Sequence, residues 1–196
     1  MTTIYFIRHA TPDRSVGEDA TYPLNEKGLA DVALVTAFLR GKNIDAVLSS
    51  PFKRAMDTVA DFAEEAGLSI ELIDDFRERA VTKKALHLEK DEFTAYRVAQ
   101  WADFSYRFQD GDSLAEVQSR NLAALKDVLT RYEGKNIVIG THGTALSTII
   151  HHYEPTYGYA GYMAMVDIMP WVAKMTFDEQ VCTAIEKIDL FNNEKV

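Results

Sequence analysis

Cysteine is nearly absent: Cys182 is the single one in 196 residues. No disulfide can close within the chain, and a cysteine-built zinc site is excluded. Long apolar runs are also missing, and nothing approaches the roughly 20 residues needed to cross a bilayer. The opening Met1-Thr2-Thr3-Ile4-Tyr5-Phe6-Ile7-Arg8 has no basic n-region, and its apolar stretch is too short for a signal peptide. These absences point to a soluble protein of a reducing compartment, the cytoplasm. Basic residues are the minority, with 21 Lys and Arg against 30 Asp and Glu, a formal net charge of −9. A general nucleic-acid or anionic-membrane surface needs a basic face, so neither partner is expected. A small basic pocket inside an acidic protein is compatible with this balance. What remains is ordinary globular composition, 47% hydrophobic and 26% charged, which excludes collagen-like and disordered chains. The length suits one domain over residues 1–196, and a chain of this size needs no staples.

The pattern alternates strands and helices. Residues 3–7 are β-branched and aromatic and predict a buried strand. Residues 11–25 hold Pro12, Gly17, Pro23 and Asn25 and predict a loop. An Ala- and Leu-rich helix is expected over 26–40, ending near Gly41. A short strand follows over 45–49. A helix with Pro51 in its first turn then runs to about Ala66, with Gly67 as its stop. A third strand is expected over 69–73. The charged, aromatic stretch 74–110 predicts one or two helices in an insertion, or lid, over the sheet. Ser113-Leu114-Ala115-Glu116 fits a capping box that opens a long helix to about Tyr132. A fourth strand is expected over 137–141, a helix over 144–152, and a hairpin over 172–177 and 181–188 turning at Asp178-Glu179. The implied fold class is α/β, three layers with a mostly parallel central sheet. No internal repeat or linker is found.

Ligands of such sheets bind beyond the carboxyl ends of the strands. Four segments stand there: Arg8-His9, Ser49 to Arg54, Asp74 to Arg79, and His142-Gly143. Two guanidiniums converging on a crevice suit a phosphate, because the planar fork pairs with its oxygens. A neutral imidazole can attack phosphorus, and a carboxylic acid can protonate the leaving oxygen. The carboxylates in reach are Glu78 and its rivals Glu71, Asp74 and Asp75.

Arg8-His9-Ala10 resembles the Arg-His-Gly signature of the histidine phosphatase superfamily, the phosphoglycerate mutase-like proteins. Leu24-Asn25-Glu26-Lys27-Gly28 is similar to that family's Leu-Thr-Glu-x-Gly. The run Ser49-Ser50-Pro51-Phe52-Lys53-Arg54-Ala55-Met56-Asp57-Thr58 is similar to its Ser-Ser-Pro-x-x-Arg-Ala-x-x-Thr, and Thr141-His142-Gly143 to its second His-Gly. Gly111-Asp112-Ser113 stands where Gly-Glu-Ser is frequent. The ordered set spans residues 3–177. The resemblance implies a phosphoglycerate mutase-like fold and a covalent phosphohistidine mechanism. His9 would be the nucleophile, and Arg8, Arg54 and His142 would hold the phosphoryl group. Glu78 would be the acid. The acid phosphatase branch places Asp directly after the second His, where this chain has Gly143, so the proton donor comes from elsewhere. Within Arg-His-Gly-x-Thr-x-x-Asn, Pro12 replaces Thr and Ser15 replaces Asn. Thr11, Ser15, Gly143 or loop N–H groups are then the candidates for further phosphate contacts.

The activity implied is hydrolysis of a small phosphomonoester, with no metal or other cofactor, the arginines taking the charge-balancing role. Mutases of the family usually run longer, which favours hydrolysis. The alternatives are mutase-type transfer within a phosphoglycerate, or a phospho-ligand or phosphohistidine-binding module with little turnover. Lys83, Lys84 and His87 suit either the pocket mouth or solvated surface. His151-His152 suits a structural role, since neighbours on a helix point about 100° apart. Arg120 fits a surface ion pair. Trp101, Phe104, Tyr106 and Phe108 suit a lid or the packing of the insertion. The segment 157–171, with its tyrosines, methionines and Trp171, suits a pocket wall or an interface in a homodimer.

Overall fold

A computed structural model describes residues 1–82, 88–192 and 194–195. Lys83, Lys84 and His87 lie outside the described residues. Seven strands form one sheet: β1 (Thr2–Arg8), β2 (Ala46–Ser49), β3 (Ile70–Leu72), β4 (Asn136–Thr141), β5 (Trp171–Asp178), β6 (Val181–Asp189) and β7 (Glu194–Lys195), in the order β3-β2-β4-β1-β5-β6-β7. The run β3-β2-β4-β1 is parallel, and β5, β6 and β7 join antiparallel. The helices are α1 (Glu26–Leu39), α2 (Lys53–Ala66), α3 (Lys90–Ala102), α4 (Leu114–Arg131), α5 (Gly143–Tyr153) and α6 (Tyr159–Met165).

Strand alternation explains the three layers, because successive side chains point to opposite faces. Ile4 and Phe6 of β1, Leu48 of β2, and Ile137 and Ile139 of β4 pack with α4 and α5 on one face. Tyr5, Ile7, Val47 and Val138 turn the other way and pack with α1 and α2. Both sides of the central strands are thus sealed, as a parallel sheet requires.

The local signals explain the element ends. Asn25 caps α1, its Oδ1 accepting from Gly28 N at 2.8 Å. Gly67 ends α2 in the left-handed region at φ 67°. Ser113 and Glu116 form the expected capping box on α4. The hairpin turns at Glu179, φ 50°. Two details differ from expectation. Helix α2 starts at Lys53 rather than at Pro51, because Ser50 Oγ first accepts from Phe52 N in a side-chain turn. In the stretch 74–110 the described α-helix is α3, and Tyr106 and Phe108 both pack on Tyr96 while Trp101 meets Phe104 edge to face.

Parallel pairing aligns the strand ends. Arg8 sits opposite Thr141, and Ser49 opposite Gly140. The chain leaves β1 toward the α1 face and leaves β4 toward the α5 face. A crevice opens between those two strand ends, the switch point of a doubly wound sheet.

The Leu24-to-Gly28 segment secures the loop beyond β1. Asn25 N donates to Thr11 O at 3.0 Å, and a Cβ on Gly28 would lie 2.2 Å from that same oxygen. Backbone cannot yield to such an overlap, so Gly28→Ala is expected to destabilise the fold by about 1–3 kcal/mol. Urea unfolding checks this, and an unchanged midpoint refutes the close approach.

Candidate active site

His9 follows β1 and is buried. Its Nδ1 lies 2.8 Å from Ala10 O, a carbonyl that can only accept, so Nδ1 carries the proton and Nε2 keeps its lone pair. Arg54 of α2 donates Nε to His9 Nε2 at 3.2 Å. Arg54 is itself fixed by Asp19: Nη1 donates to the Asp19 carbonyl, and Nη2 lies 3.2 Å from Asp19 Oδ1. Thr58, one turn along α2, accepts from Ala10 N at 2.9 Å and donates to Arg54 O at 2.7 Å. The motif from Ser49 to Thr58 therefore ties α2 to the histidine loop.

His142 caps the sheet side of α5, its ring 5.3 Å from that of His9 between centroids. Its Nε2 lies 2.8 Å from Ser50 Oγ. Ser50 Oγ accepts from Phe52 N, and with its own proton given to His142 Nε2 the ring's proton stands on Nδ1. That Nδ1 is buried without a partner. Arg8 ends β1 beneath the crevice. Its Nη1 donates to Ile168 O at 2.9 Å and to Met165 O, and its Nη2 to Val166 O at 2.9 Å. Its Nε is buried and unpartnered. Gly143 makes room for it, since a Cβ there would meet Arg8 Nε at 3.2 Å.

Glu78 follows β3 and a 3-10 turn, Asp74–Phe76. Its carboxylate accepts from Arg79 N at 2.8 Å, Thr144 N at 3.0 Å and Ala145 N at 3.1 Å, the last two being free donors at the start of α5. Arg120 holds the same segment from α4. It donates to the carbonyls of Asp75, Arg77 and Glu78 and pairs with Asp112, whose Oδ2 also accepts from Ala80 N. Its side chain is only 12% exposed, so the expected surface ion pair is instead a clamp on the Glu78 segment.

A cleft of about 460 Å³ opens over this cluster. Arg8, His9, Thr11, Arg54, Glu78 and Gly143 all line it, and His142 lies buried against His9. Ser15 stands apart: it is exposed, and its hydroxyl donates to Asp13 Oδ1 at 2.6 Å. The rival carboxylates are engaged elsewhere, Asp74 and Asp75 with Arg77 and Glu71 with Arg131 and Tyr132. Sequence reasoning missed Arg14, Asp19, Arg79, Arg97 and Asp167, which also line the cleft. Arg14 adjoins the departure from the Asn position; the others carry no local signal. Tyr162 forms part of the wall, while Trp171 and Tyr157 are buried. His151 is half-buried, its Nδ1 donating to Tyr157 O at 2.8 Å and its ring meeting Trp101 and Phe104.

Burial and the neighbouring guanidiniums of Arg54 and Arg8 hold His9 well below the usual imidazole range; burial and Arg54 do the same to His142. Burial also lowers Arg8, to about 10, which leaves it charged at neutral pH. Neutral imidazoles beside cationic guanidiniums, at the carboxyl edge of a doubly wound sheet, suit a phosphoryl group.

The family comparison agrees. The model of the histidine phosphatase superfamily (branch 1) matches residues 4–163, and the chain belongs to that superfamily. It is an enzyme of phosphate esters, of phosphatase or mutase type. A Bacillus subtilis protein named "Uncharacterized phosphatase PhoE" is 26% identical over 155 residues, covering 76% of each chain. A Yersinia pestis protein named "Probable phosphoglycerate mutase GpmB" is 25% identical over 160 residues, covering 76% of this chain and 74% of its own. The solved structure of Bacillus stearothermophilus YhfR superposes with a TM-score of 0.77 at 23% identity, covering 94% of this chain and 95% of that one.

The depressed histidines predict how stability depends on pH. Unfolded, each titrates near 6.5; folded, each resists protonation. The unfolded state therefore binds more protons below about pH 6.5, and stability falls as pH drops from there. The expected slope approaches two protons, and His142→Asn should flatten it by up to one. Calorimetric unfolding between pH 7 and 5 measures both, and parallel slopes for the two proteins would refute the coupling.

Proposed function

We propose that the protein hydrolyses small phosphomonoesters through a covalent phosphohistidine on His9, with no metal ion. The observation that carries this reading is the pair of buried, unpartnered nitrogens, Arg8 Nε and His142 Nδ1, beside His9. Buried polar groups without partners are rare and costly, so a ligand that supplies acceptors is favoured there. A phosphoryl group supplies them.

The reaction follows from the donors. A phosphoryl oxygen accepts from Arg8 Nε and another from His142 Nδ1, while Arg54 turns its guanidinium from His9 Nε2 toward the same oxygens. This frees the Nε2 lone pair to attack phosphorus. The P–N bond forms as the ester P–O bond breaks, and the departing oxygen takes a proton from Glu78 acting as a carboxylic acid. Water then attacks phospho-His9, gives its proton to Glu78, and the P–N bond breaks to release inorganic phosphate. The Nδ1–H bond to Ala10 O keeps the ring oriented through both steps. Charge on the equatorial oxygens is met by guanidiniums, the part a divalent cation plays in other phosphoryl transfers. Glu78 is taken as the proton carrier because it lines the cleft while Glu71, Asp74 and Asp75 do not, and the other two cleft carboxylates act on arginines, Asp19 on Arg54 and Asp167 on Arg8.

Two variants test the route. His9→Ala should abolish release of phosphate from phenyl phosphate assayed without added metal. Residual turnover within about tenfold, or 1.4 kcal/mol, rules out the covalent step. Glu78→Gln should slow alkyl phosphates far more than 4-nitrophenyl phosphate, whose leaving group needs no proton. Equal slowing of both transfers the acid role to another group.

A further inference from the structure

Glu78 sits on a stretch with no regular structure of its own. Residues 77–82 belong to no helix or strand, so their backbone groups need partners from elsewhere. Phe76, just before them, is fully buried and packs edge to face on Phe6, 6.3 Å between centroids. It anchors the start of the stretch in the core. Beyond it the grip comes from α4.

Arg120 spreads its fork over three carbonyls. Its Nη1 donates to Arg77 O at 2.9 Å and to Asp75 O at 3.2 Å, and its Nη2 to Glu78 O at 3.1 Å. The same Nη2 lies 3.2 Å from Asp112 Oδ2. Asp112 is in turn joined to Ala80 both ways: Ala80 N donates to its Oδ2 at 2.9 Å, and its own N donates to Ala80 O at 3.0 Å. Gln100 of α3, fully buried, donates its amide to Asp112 O at 3.0 Å. The backbone is thus pinned on both sides of Glu78, at Asp75 and Arg77 before it and at Ala80 after it. The carboxylate end is held separately, by the N–H groups of Thr144 and Ala145. An ion pair on the surface would contribute little and would not need three carbonyl acceptors. Arg120 does not line the cleft, so its effect on the chemistry passes through what it holds. Proton transfer is sensitive to that hold: a general acid must stand within hydrogen-bond reach of the leaving oxygen, and a displacement of about 1 Å can cost on the order of 10²-fold.

We propose that Arg120, braced by Asp112, is a positioning residue for proton delivery: it fixes the backbone from which the Glu78 carboxyl meets the leaving oxygen. This rests on the phosphatase reading with Glu78 as the acid, and deepens it. The leaving-group proton, and not phosphoryl binding, is what the clamp controls. Charge alone does not suffice, because a lysine at this position is a point charge that cannot span three carbonyls.

Leaving groups separate positioning from general damage to the fold. The value of kcat is measured for ethyl phosphate and for 4-nitrophenyl phosphate, whose leaving group needs no proton. In Arg120→Met the ethyl-to-nitrophenyl ratio should fall by about tenfold or more, carried by kcat rather than KM. Arg120→Lys should recover only part of the loss. Added to Glu78→Gln, Arg120→Met should leave the ratio where Glu78→Gln alone puts it, because the acid is already gone. An unchanged ratio in Arg120→Met, or a further fall on top of Glu78→Gln, overturns the proposal. So does full recovery by lysine, which would assign the effect to the Arg120 charge that also acts on His142. A thermal melt verifies folding, and where Arg120→Met does not fold, Asp112→Ala is held to the same ratio. The amide proton signals of Thr144 and Ala145 report the Glu78 carboxylate without turnover. In Arg120→Met they should move in the same direction as in Glu78→Ala, and signals unchanged from wild type overturn the clamp. If the wild-type protein releases phosphate from neither ester, the phosphatase reading alone fails, and these signals decide the clamp.

Discussion

The parallel pairing of β1 with β4 is the constraint on which the site depends. It sets Arg8 opposite Thr141, so the residues that follow, His9 and His142, emerge side by side at one edge. Because the helices that follow the two strands lie on opposite faces, the crevice opens between them, with His9 in its lining and His142 buried beside it. His9 N donates to Thr141 O and Ser50 N to Gly140 O, which extends the sheet's hydrogen bonding one step past each strand. The reacting groups are therefore fixed by backbone and not by long flexible side chains. That suits phosphoryl transfer, in which positioning supplies much of the rate.

Around that edge, buried polarity is satisfied by pairs that each use one partner's spare valence. Ser50 accepts from Phe52 and bonds His142 Nε2 with the same hydroxyl. Thr58 accepts from Ala10 and gives to Arg54. The hydroxyls act as relays, which explains why the run from Ser49 to Thr58 needs hydroxyls at set intervals. Glu78 is held by the free donors of α5, and Arg120 and Asp112 hold the segment that carries it. The motif residues meet one another in space, and Arg120, outside the motifs, shares the holding with Asp112.

Much of this was legible in the sequence. Every predicted strand and helix from 3 to 66 and from 113 to 188 exists within a few residues, since periodicity, capping residues and Gly stops are local properties. Arg8, His9, Arg54, Glu78 and His142 were legible because they sit at strand ends or within an ordered motif. Arg120 was not, because its partners are carbonyls more than 40 positions away, and nothing local distinguishes it from a solvated arginine. Asp19, Arg79 and Arg97 were hidden for the same reason: their meaning comes from a cleft assembled by distant segments. Ser15 was named from its position in a motif, yet the turn it makes with Asp13 directs it outward. Trp101 and Phe104 offered two readings that composition could not separate, and both meet His151 of α5, Trp101 edge to face and Phe104 tilted, which is a packing contact.

Arg8 donates to the carbonyls of Met165, Val166 and Ile168, at and just beyond the end of α6. The first functional residue to leave the ribosome therefore waits for nearly the last segment of the fold before its guanidinium is held. A chain folded only from β1 through α5 would hold both histidines with the Arg8 guanidinium unanchored, so in the proposed reading the phosphate grip is completed by residues 165–168.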